Sequence, residues 1–121
     1  MHSFVPAPDQ VFLACGYTDL RLGIDGLATL VQFQYQIDPY QNILFLFCGR
    51  RADRIKGILW CGDGFTLLYK RLSNGRFKWP RSENELLEVS SQQLEFLLEG
   101  LSISQKTSIK KIDKIYNISD I

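Results

Sequence analysis

The chain has 121 residues, with 14 Lys and Arg against 13 Asp and Glu, so its formal net charge is only +1. Its 45% hydrophobic and 22% charged residues are typical of a globular domain and exclude disordered, collagen-like and coiled-coil classes. The longest apolar run, residues 43–48, is far shorter than the ~20 residues that cross a bilayer. Because no secretory signal is visible either, we expect a cytoplasmic protein that does not enter a membrane.

The three cysteines indicate neither a disulfide framework nor a zinc site. Cys15, Cys48 and Cys61 are odd in number, lie far apart and include no C-x-x-C pair. We interpret them as buried thiols in a reducing compartment, and we expect no metal and no cofactor.

The first half of the chain predicts two strands and one helix. Residues 11–16 form a short apolar run between prolines and a glycine, which indicates a buried strand. Residues 24–32 carry apolar side chains at spacings of three and four, which predicts an amphipathic helix. Residues 42–48 are almost continuously apolar, which favours a central strand buried on both faces.

The second half predicts more strands and a second helix. A Gly-Asp-Gly turn at 62–64 joins strands 55–61 and 65–72 in a hairpin. A further strand is predicted at 76–79, where cationic and aromatic residues alternate. A helix is predicted near 90–100.

These elements predict one α+β domain over residues 1–101, built mainly on an antiparallel β-meander sheet. We expect residues 102–121 to form a C-terminal tail that is either helical or frayed.

The near-neutral total charge hides an uneven distribution. The formal charge is −3 over residues 1–49, +7 over residues 50–81 and −3 over residues 82–121. Cations neutralise phosphates and aromatic faces stack on unpaired bases, so a basic segment rich in aromatic residues fits nucleic-acid binding. The alternative is that the cations are only the solvated side of a sheet and the aromatic residues are core.

We expect the nucleic-acid-binding residues to lie on one face of the meander and near its turns. If about six of them contact phosphates, the logarithm of the affinity falls with the logarithm of the salt concentration with a slope near −5. The candidates are Arg50, Arg51, Arg54, Lys56, Lys70, Arg71, Arg76 and Lys78.

Four further residues are interpreted mainly as structural. We expect Asp19, Arg21 and Asp25 to form a capped turn between the first strand and the first helix, with a contact to a partner or to nucleic acid as the alternative. Trp79 is expected to anchor the core at the end of the meander, with a stacking platform or partner contact as the alternative. Asp19 and Asp25 are also the best candidates for a metal-dependent nuclease, because such enzymes need clustered carboxylates. With His2 as the single histidine, we expect no enzyme.

Three motifs follow one another along the chain. They are Thr18-Asp19-Leu20-Arg21-Leu22-Gly23-Ile24-Asp25-Gly26-Leu27, Arg50-Arg51-Ala52-Asp53-Arg54-Ile55-Lys56, and Trp60-Cys61-Gly62-Asp63-Gly64-Phe65 followed by Lys70-Arg71-Leu72-Ser73-Asn74-Gly75-Arg76-Phe77-Lys78-Trp79-Pro80. In these motifs the chain, from residue 8 to residue 101, resembles the TnpB-type accessory protein of the insertion-sequence sixty-six family of bacterial transposable elements. The resemblance implies a factor for transposition that acts beside a separate transposase, which carries the catalytic carboxylates.

The chain departs from this family at three positions. Leu22 stands where the family usually has Lys, Cys61 where it usually has Asp, and Gly57 where an aliphatic residue is usual. The missing acid at position 61 argues further against catalysis there. The leading hypothesis is therefore a non-catalytic accessory protein that binds DNA, and the alternative is an adaptor that docks on the transposase without contacting DNA.

Overall fold

The computed structural model describes residues 7–99, which form five strands and two helices. In chain order these are β1 (Gln10–Ala14), α1 (Ile24–Phe33), β2 (Ile43–Cys48), β3 (Arg54–Trp60), β4 (Phe65–Arg71), β5 (Leu86–Val89) and α2 (Ser91–Leu98). Neither α1 nor α2 has the length and apolar character that a membrane-spanning helix needs.

The five strands form one sheet in the order β4-β3-β2-β1-β5. β1 and β2 are parallel, and α1 makes the crossover between them. The three other strand pairs are antiparallel. This confirms the predicted α+β class with a mainly antiparallel sheet. It also confirms the central position of β2, whose six residues are all buried.

Each face of the sheet is covered by one helix. On the α1 face, Leu27 of the helix packs in one apolar cluster with Phe45 of β2. On the α2 face, Leu97 packs in a second cluster with Leu13 of β1 and with Trp79 from the chain after β4. Because strand side chains alternate between faces, successive residues of β3 and β4 belong to these two environments in turn.

The two helices begin in different ways. The side chain of Ser90 accepts a hydrogen bond from the Gln93 backbone at 3.1 Å, and the Gln93 side chain accepts one from the Ser90 backbone at 2.8 Å. This capping box satisfies two backbone donors at the start of α2. α1 begins after Gly23, which makes no side-chain cap, and Asp25 lies exposed in the first turn. Asp25 therefore adds a favourable charge at the helix N-terminus but is not its cap.

The predicted hairpin between β3 and β4 is confirmed. The Cys61 amide donates to the Gly64 carbonyl at 2.8 Å, and Gly62 takes a φ of +92°, which glycine adopts without strain. The thiol of Cys61 lies 3.2 Å from the Thr66 hydroxyl beside this turn.

The predicted strand at 76–79 is wrong. Phe77 and Trp79 are buried and their two cationic neighbours are exposed, as in an alternating strand, but this segment pairs with no strand of the described sheet. It crosses the α2 face instead, with the Phe77 amide bonded to the Ala52 carbonyl at 2.6 Å. The strand that pairs antiparallel with β1, at the edge of the sheet opposite β4, is β5, which no sequence pattern predicted. The predicted tail, 102–121, lies outside the described residues.

The glycine at position 57 of β3 is explained by side chains of the neighbouring strand β2. A Cβ atom at this position would lie 2.7 Å from Cδ2 of Leu46 and 3.2 Å from Cδ1 of Leu44. The two leucines therefore fill the volume that an aliphatic residue at position 57 would occupy.

Candidate nucleic-acid interface

An open groove of about 930 Å³ lies beside the carboxyl ends of β1 and β2. The loops that follow these two strands form part of its lining, through residues 17–21 and residues 49–51. Parallel neighbours end at the same edge of a sheet, so the crossover through α1 brings these two loops together. Asp53 and side chains of β3 and β4 complete the lining.

The groove is positively charged. Five cations and two carboxylates line it, which gives a net charge of +3. Each carboxylate is paired with a cation close to it in sequence, Asp19 with Arg21 at 2.7 Å and Asp53 with Arg54 at 3.2 Å. The remaining cations are Arg50, Arg51 and Lys56, which have no carboxylate partner among residues 7–99.

Both carboxylates stay ionised in the neutral range. Hydrogen bonds from the side chain and backbone of Arg21 lower the pKa of Asp19 to about 2. The hydrogen bond from the Arg54 guanidinium likewise lowers the pKa of Asp53. The charge of the groove is therefore constant around neutral pH, because no histidine of residues 7–99 lines it.

The basic turn at 49–52 is held in place by the chain that follows β4. Ala52 takes the left-handed φ of +59°, and its amide bonds to the Gly49 carbonyl at 2.9 Å. The amide of Leu72 donates to the Asp53 carbonyl at 2.8 Å, next to the bond that Phe77 makes with Ala52. These contacts fix the backbone that carries Arg50 and Arg51 without using their side chains.

The opposite wall is tied to the end of β2. The Thr18 amide donates to the Cys48 carbonyl at 2.8 Å. Asp19 then turns the chain, because its carboxylate accepts from the Arg21 backbone at 3.0 Å and from the Arg21 guanidinium at 2.7 to 3.2 Å. The ammonium of Lys56 donates to the Leu22 carbonyl at 3.2 Å. Asp19 and Arg21 thus build the turn between β1 and α1, and their side chains also border the groove.

Two exposed tyrosines belong to the groove. Tyr69 is 54% exposed and Tyr17 is 39% exposed. The Lys56 ammonium lies 6.0 Å from the ring centre of Tyr69, its cross-strand partner. The guanidinium groups of Arg50 and Arg81 lie 5.8 and 5.3 Å from the ring centre of Tyr17. The groove therefore combines cations with aromatic faces.

The eight predicted cations do not share one face. Arg50, Arg51, Arg54 and Lys56 line the groove. Arg71 pairs with Arg54 in the β3–β4 register and so lies on the same face of the sheet.

Three of the predicted cations lie on the other side of the molecule. Lys70 pairs with Ile55, whose side chain is buried on the α2 face. Arg76 and Lys78 are exposed on the segment that covers the α2 face. The expectation of a single basic face is corrected by this arrangement, since consecutive residues of β4 point to opposite faces.

Sequence reasoning missed two contributors to the groove, Tyr17 and Leu67. Arg21, expected mainly in a turn with a partner or nucleic-acid contact as the alternative, also lines it. The period of two in β4 places Leu67, Tyr69 and Arg71 on one face, which was the available signal. Tyr17 gave no local signal, because only the crossover brings its loop beside β3.

The remaining candidates lie apart from the groove or in its wall. Trp79 is 4% exposed, and its indole N–H donates to the Ala14 carbonyl at 2.9 Å. Among residues 7–99, no group of three or more His, Cys, Asp or Glu side chains is placed to hold a metal ion.

Burial raises the pKa of the Cys48 thiol to about 12, and it raises the pKa of the Cys15 thiol as well.

Comparison with known proteins agrees with the sequence motifs. The family model described as "IS66 Orf2 like protein" matches residues 9–108, beyond residue 101 where the resemblance was expected to end. Two curated relatives come from Sinorhizobium fredii strain NGR234. The uncharacterized protein y4hO is 40% identical over 76% of this chain and 80% of its own length. The uncharacterized protein y4jC is 34% identical over 76% of this chain and 79% of its own length.

No solved structure matches the chain. The family model spans both loops of the groove, all five strands and the segment that braces the basic turn. The fold and the groove are therefore described on the part of the chain that the family shares, and the protein belongs to the IS66 Orf2-like family, which is associated with transposition.

Proposed function

We propose that this protein is a non-catalytic accessory factor for the transposition of its insertion sequence and that it binds DNA through the groove beside the carboxyl ends of β1 and β2. The observation that carries the proposal is the net charge of +3 in a groove where Arg50, Arg51 and Lys56 lack carboxylate partners among the described residues. Such cations neutralise phosphates and release condensed counterions. Family membership supplies the context of DNA transposition.

The groove supports a smaller number of phosphate contacts than the sequence suggested. The groove has three cations without carboxylate partners among residues 7–99. We therefore expect the logarithm of the affinity for duplex DNA to fall with the logarithm of the salt concentration with a slope of about −3. Fluorescence anisotropy of a labelled duplex at several salt concentrations measures this slope. A slope near −5 would instead indicate that further cations, starting with Arg21 and Arg54 of the groove, also contact phosphates.

A pair of matched variants tests the location. Arg50→Glu with Arg51→Glu reverses two charges in the groove, and Arg76→Glu with Lys78→Glu reverses two exposed charges on the α2 face. Both variants change the net charge equally, so a general electrostatic effect moves both. We expect the groove variant to weaken binding at least about tenfold and the control to change it by less than about threefold. Equal losses, with unchanged melting temperatures, would refute binding in the groove.

An adaptor function is the second candidate, and a specific surface favours it. Tyr40 is 54% exposed and packs at 5.0 and 5.3 Å ring-centre distances against Trp60 and Phe65, away from the groove. Exposed aromatic clusters are common in protein interfaces. Co-purification with the transposase at high salt, lost in Tyr40→Ser and combined with no DNA binding, would establish this function in place of the first.

A metal-dependent nuclease has no such support. Both oxygens of the Asp19 carboxylate bind Arg21, and Asp25 lies in the first turn of α1. Labelled DNA incubated with the protein and magnesium or manganese is expected to stay intact. Metal-dependent cleavage that disappears in Asp19→Asn would contradict the non-catalytic proposal.

A further inference from the structure

We propose that the groove takes single-stranded DNA in preference to duplex DNA and that an unpaired base stacks on the ring of Tyr69. This inference rests on the proposed function, because it specifies the form of DNA that the same groove binds. It follows from the apolar side of the groove and from the position of the cations around it.

One wall of the groove is apolar and exposed. β4 is the edge strand of the sheet, and on its α1 face Leu67 is 40% exposed and Tyr69 is 54% exposed. A duplex presents its phosphates outward and keeps its bases paired inside, so an apolar wall offers it no partner. An unpaired base exposes a π face, which stacks on an aromatic side chain whatever its sequence.

Cations lie beside this wall on the same face of the sheet. Lys56 faces Tyr69 across the strand pair, with its ammonium 6.0 Å from the ring centre. Arg54 and Arg71 form the next pair on the same face, about 7 Å farther along the strand. A base on Tyr69 can therefore have its neighbouring phosphates beside Lys56 and Arg71.

Tyr69 is a better stacking platform than the second tyrosine of the groove. Two guanidinium groups, from Arg50 and Arg81, already contact the ring of Tyr17. The Lys56 ammonium lies beside the ring of Tyr69 and Arg54 lies near its hydroxyl, but Tyr69 is the more exposed of the two rings. Tyr69 therefore stacks on the base, and the arginines near Tyr17 contact phosphates.

The experiment uses fluorescence anisotropy with three probes on the full chain. The probes are a labelled oligothymidine, an oligonucleotide of the same length that lacks bases, and a duplex. The variants are Tyr69→Ala and Tyr69→Phe, and the control is Phe33→Ala, which removes an exposed aromatic ring outside the groove. Melting temperatures establish that each variant is folded.

We expect the wild-type protein to bind oligothymidine at least about tenfold more tightly than the duplex or the base-free strand. Tyr69→Ala should lose about tenfold in affinity for oligothymidine and change the other two affinities by less than about twofold. Tyr69→Phe and Phe33→Ala should leave all three affinities unchanged, since the first keeps the stacking face and the second lies elsewhere.

The outcomes separate this inference from the proposed function. Duplex binding as tight as single-strand binding, with no effect of Tyr69→Ala, would overturn the inference while DNA binding through the groove stands. Tighter binding of a labelled RNA strand of the same length as the oligothymidine, measured in the same way, would also overturn it. Absence of binding to every probe would overturn the proposed function itself.

Discussion

Replacement of Trp79 by Phe tests the anchor that holds the chain after β4 on the α2 face. The indole N–H donates to the Ala14 carbonyl at 2.9 Å, and both residues are buried, Trp79 at 4% and Ala14 at 0% exposure. Phe fills most of the space but cannot donate this hydrogen bond. The substitution therefore separates the polar contribution of Trp79 from most of its apolar contribution.

The expected loss of stability has two parts. Loss of the donor to a buried carbonyl costs about 1–3 kcal/mol. The smaller ring leaves a cavity of roughly 40 Å³, which adds about 1 kcal/mol at the usual cost per unit of cavity volume. The sum is about 2–4 kcal/mol, which for a chain of this size lowers the melting temperature by roughly 8–16 °C.

Thermal and urea denaturation followed by circular dichroism measure this change. Phe33→Leu is the control, because Phe33 is 70% exposed and its replacement should change the free energy of unfolding by less than about 0.5 kcal/mol. A loss below about 0.5 kcal/mol for Trp79→Phe would refute the anchoring role, since a buried hydrogen bond and a filled volume cannot both be removed at so small a cost.

Two further substitutions test the turn before α1 and the cap of α2. Hydrogen bonds from Arg21 lower the folded-state pKa of Asp19 from its usual 3.8 to about 2, so its stabilising contribution is present above pH 4 and is lost as the pH falls toward 2. Asp19→Asn should remove this dependence, and the difference in melting temperature between wild type and variant should shrink between pH 5 and pH 2; a constant difference would contradict the pairing with Arg21. Ser90→Ala removes one half of the capping box and should lower the free energy of unfolding by about 1 kcal/mol in urea denaturation, whereas Ser73→Ala, in an exposed turn, should leave it unchanged.

Local patterns predicted most elements of the sheet and both helices. The helix expected at 24–32 is α1, Ile24–Phe33, and the strand expected at 42–48 is β2, Ile43–Cys48. Both succeed because the spacing of apolar residues is itself the burial pattern of the element. The capping pair of Ser90 and Gln93 likewise marks the start of α2 in the sequence.

The two errors in the sheet have a common physical cause. Residues 76–79 have the alternation of a strand, but a strand needs a partner for its backbone, and this segment bonds to the Ala52 carbonyl and packs on the α2 face instead. β5, Leu86–Val89, has only four residues, and its backbone is paired because the edge of β1 is available. Pairing of this kind depends on distant residues and leaves no local pattern.

The sequence by itself determined both helices, four of the five strands, the basic segment at 50–81 and the family, because periodicity, charge and motifs are properties of neighbouring residues. Only the tertiary structure decided which cations lie together. The parallel pairing of β1 with β2 brings the loop at 17–21 beside the turn at 49–51, and the β3–β4 register adds Lys56 and Tyr69 while it turns Lys70 to the opposite face. The groove exists only because these strands and loops are neighbours in the fold, and strand order is set by backbone pairing and core burial over the whole sheet.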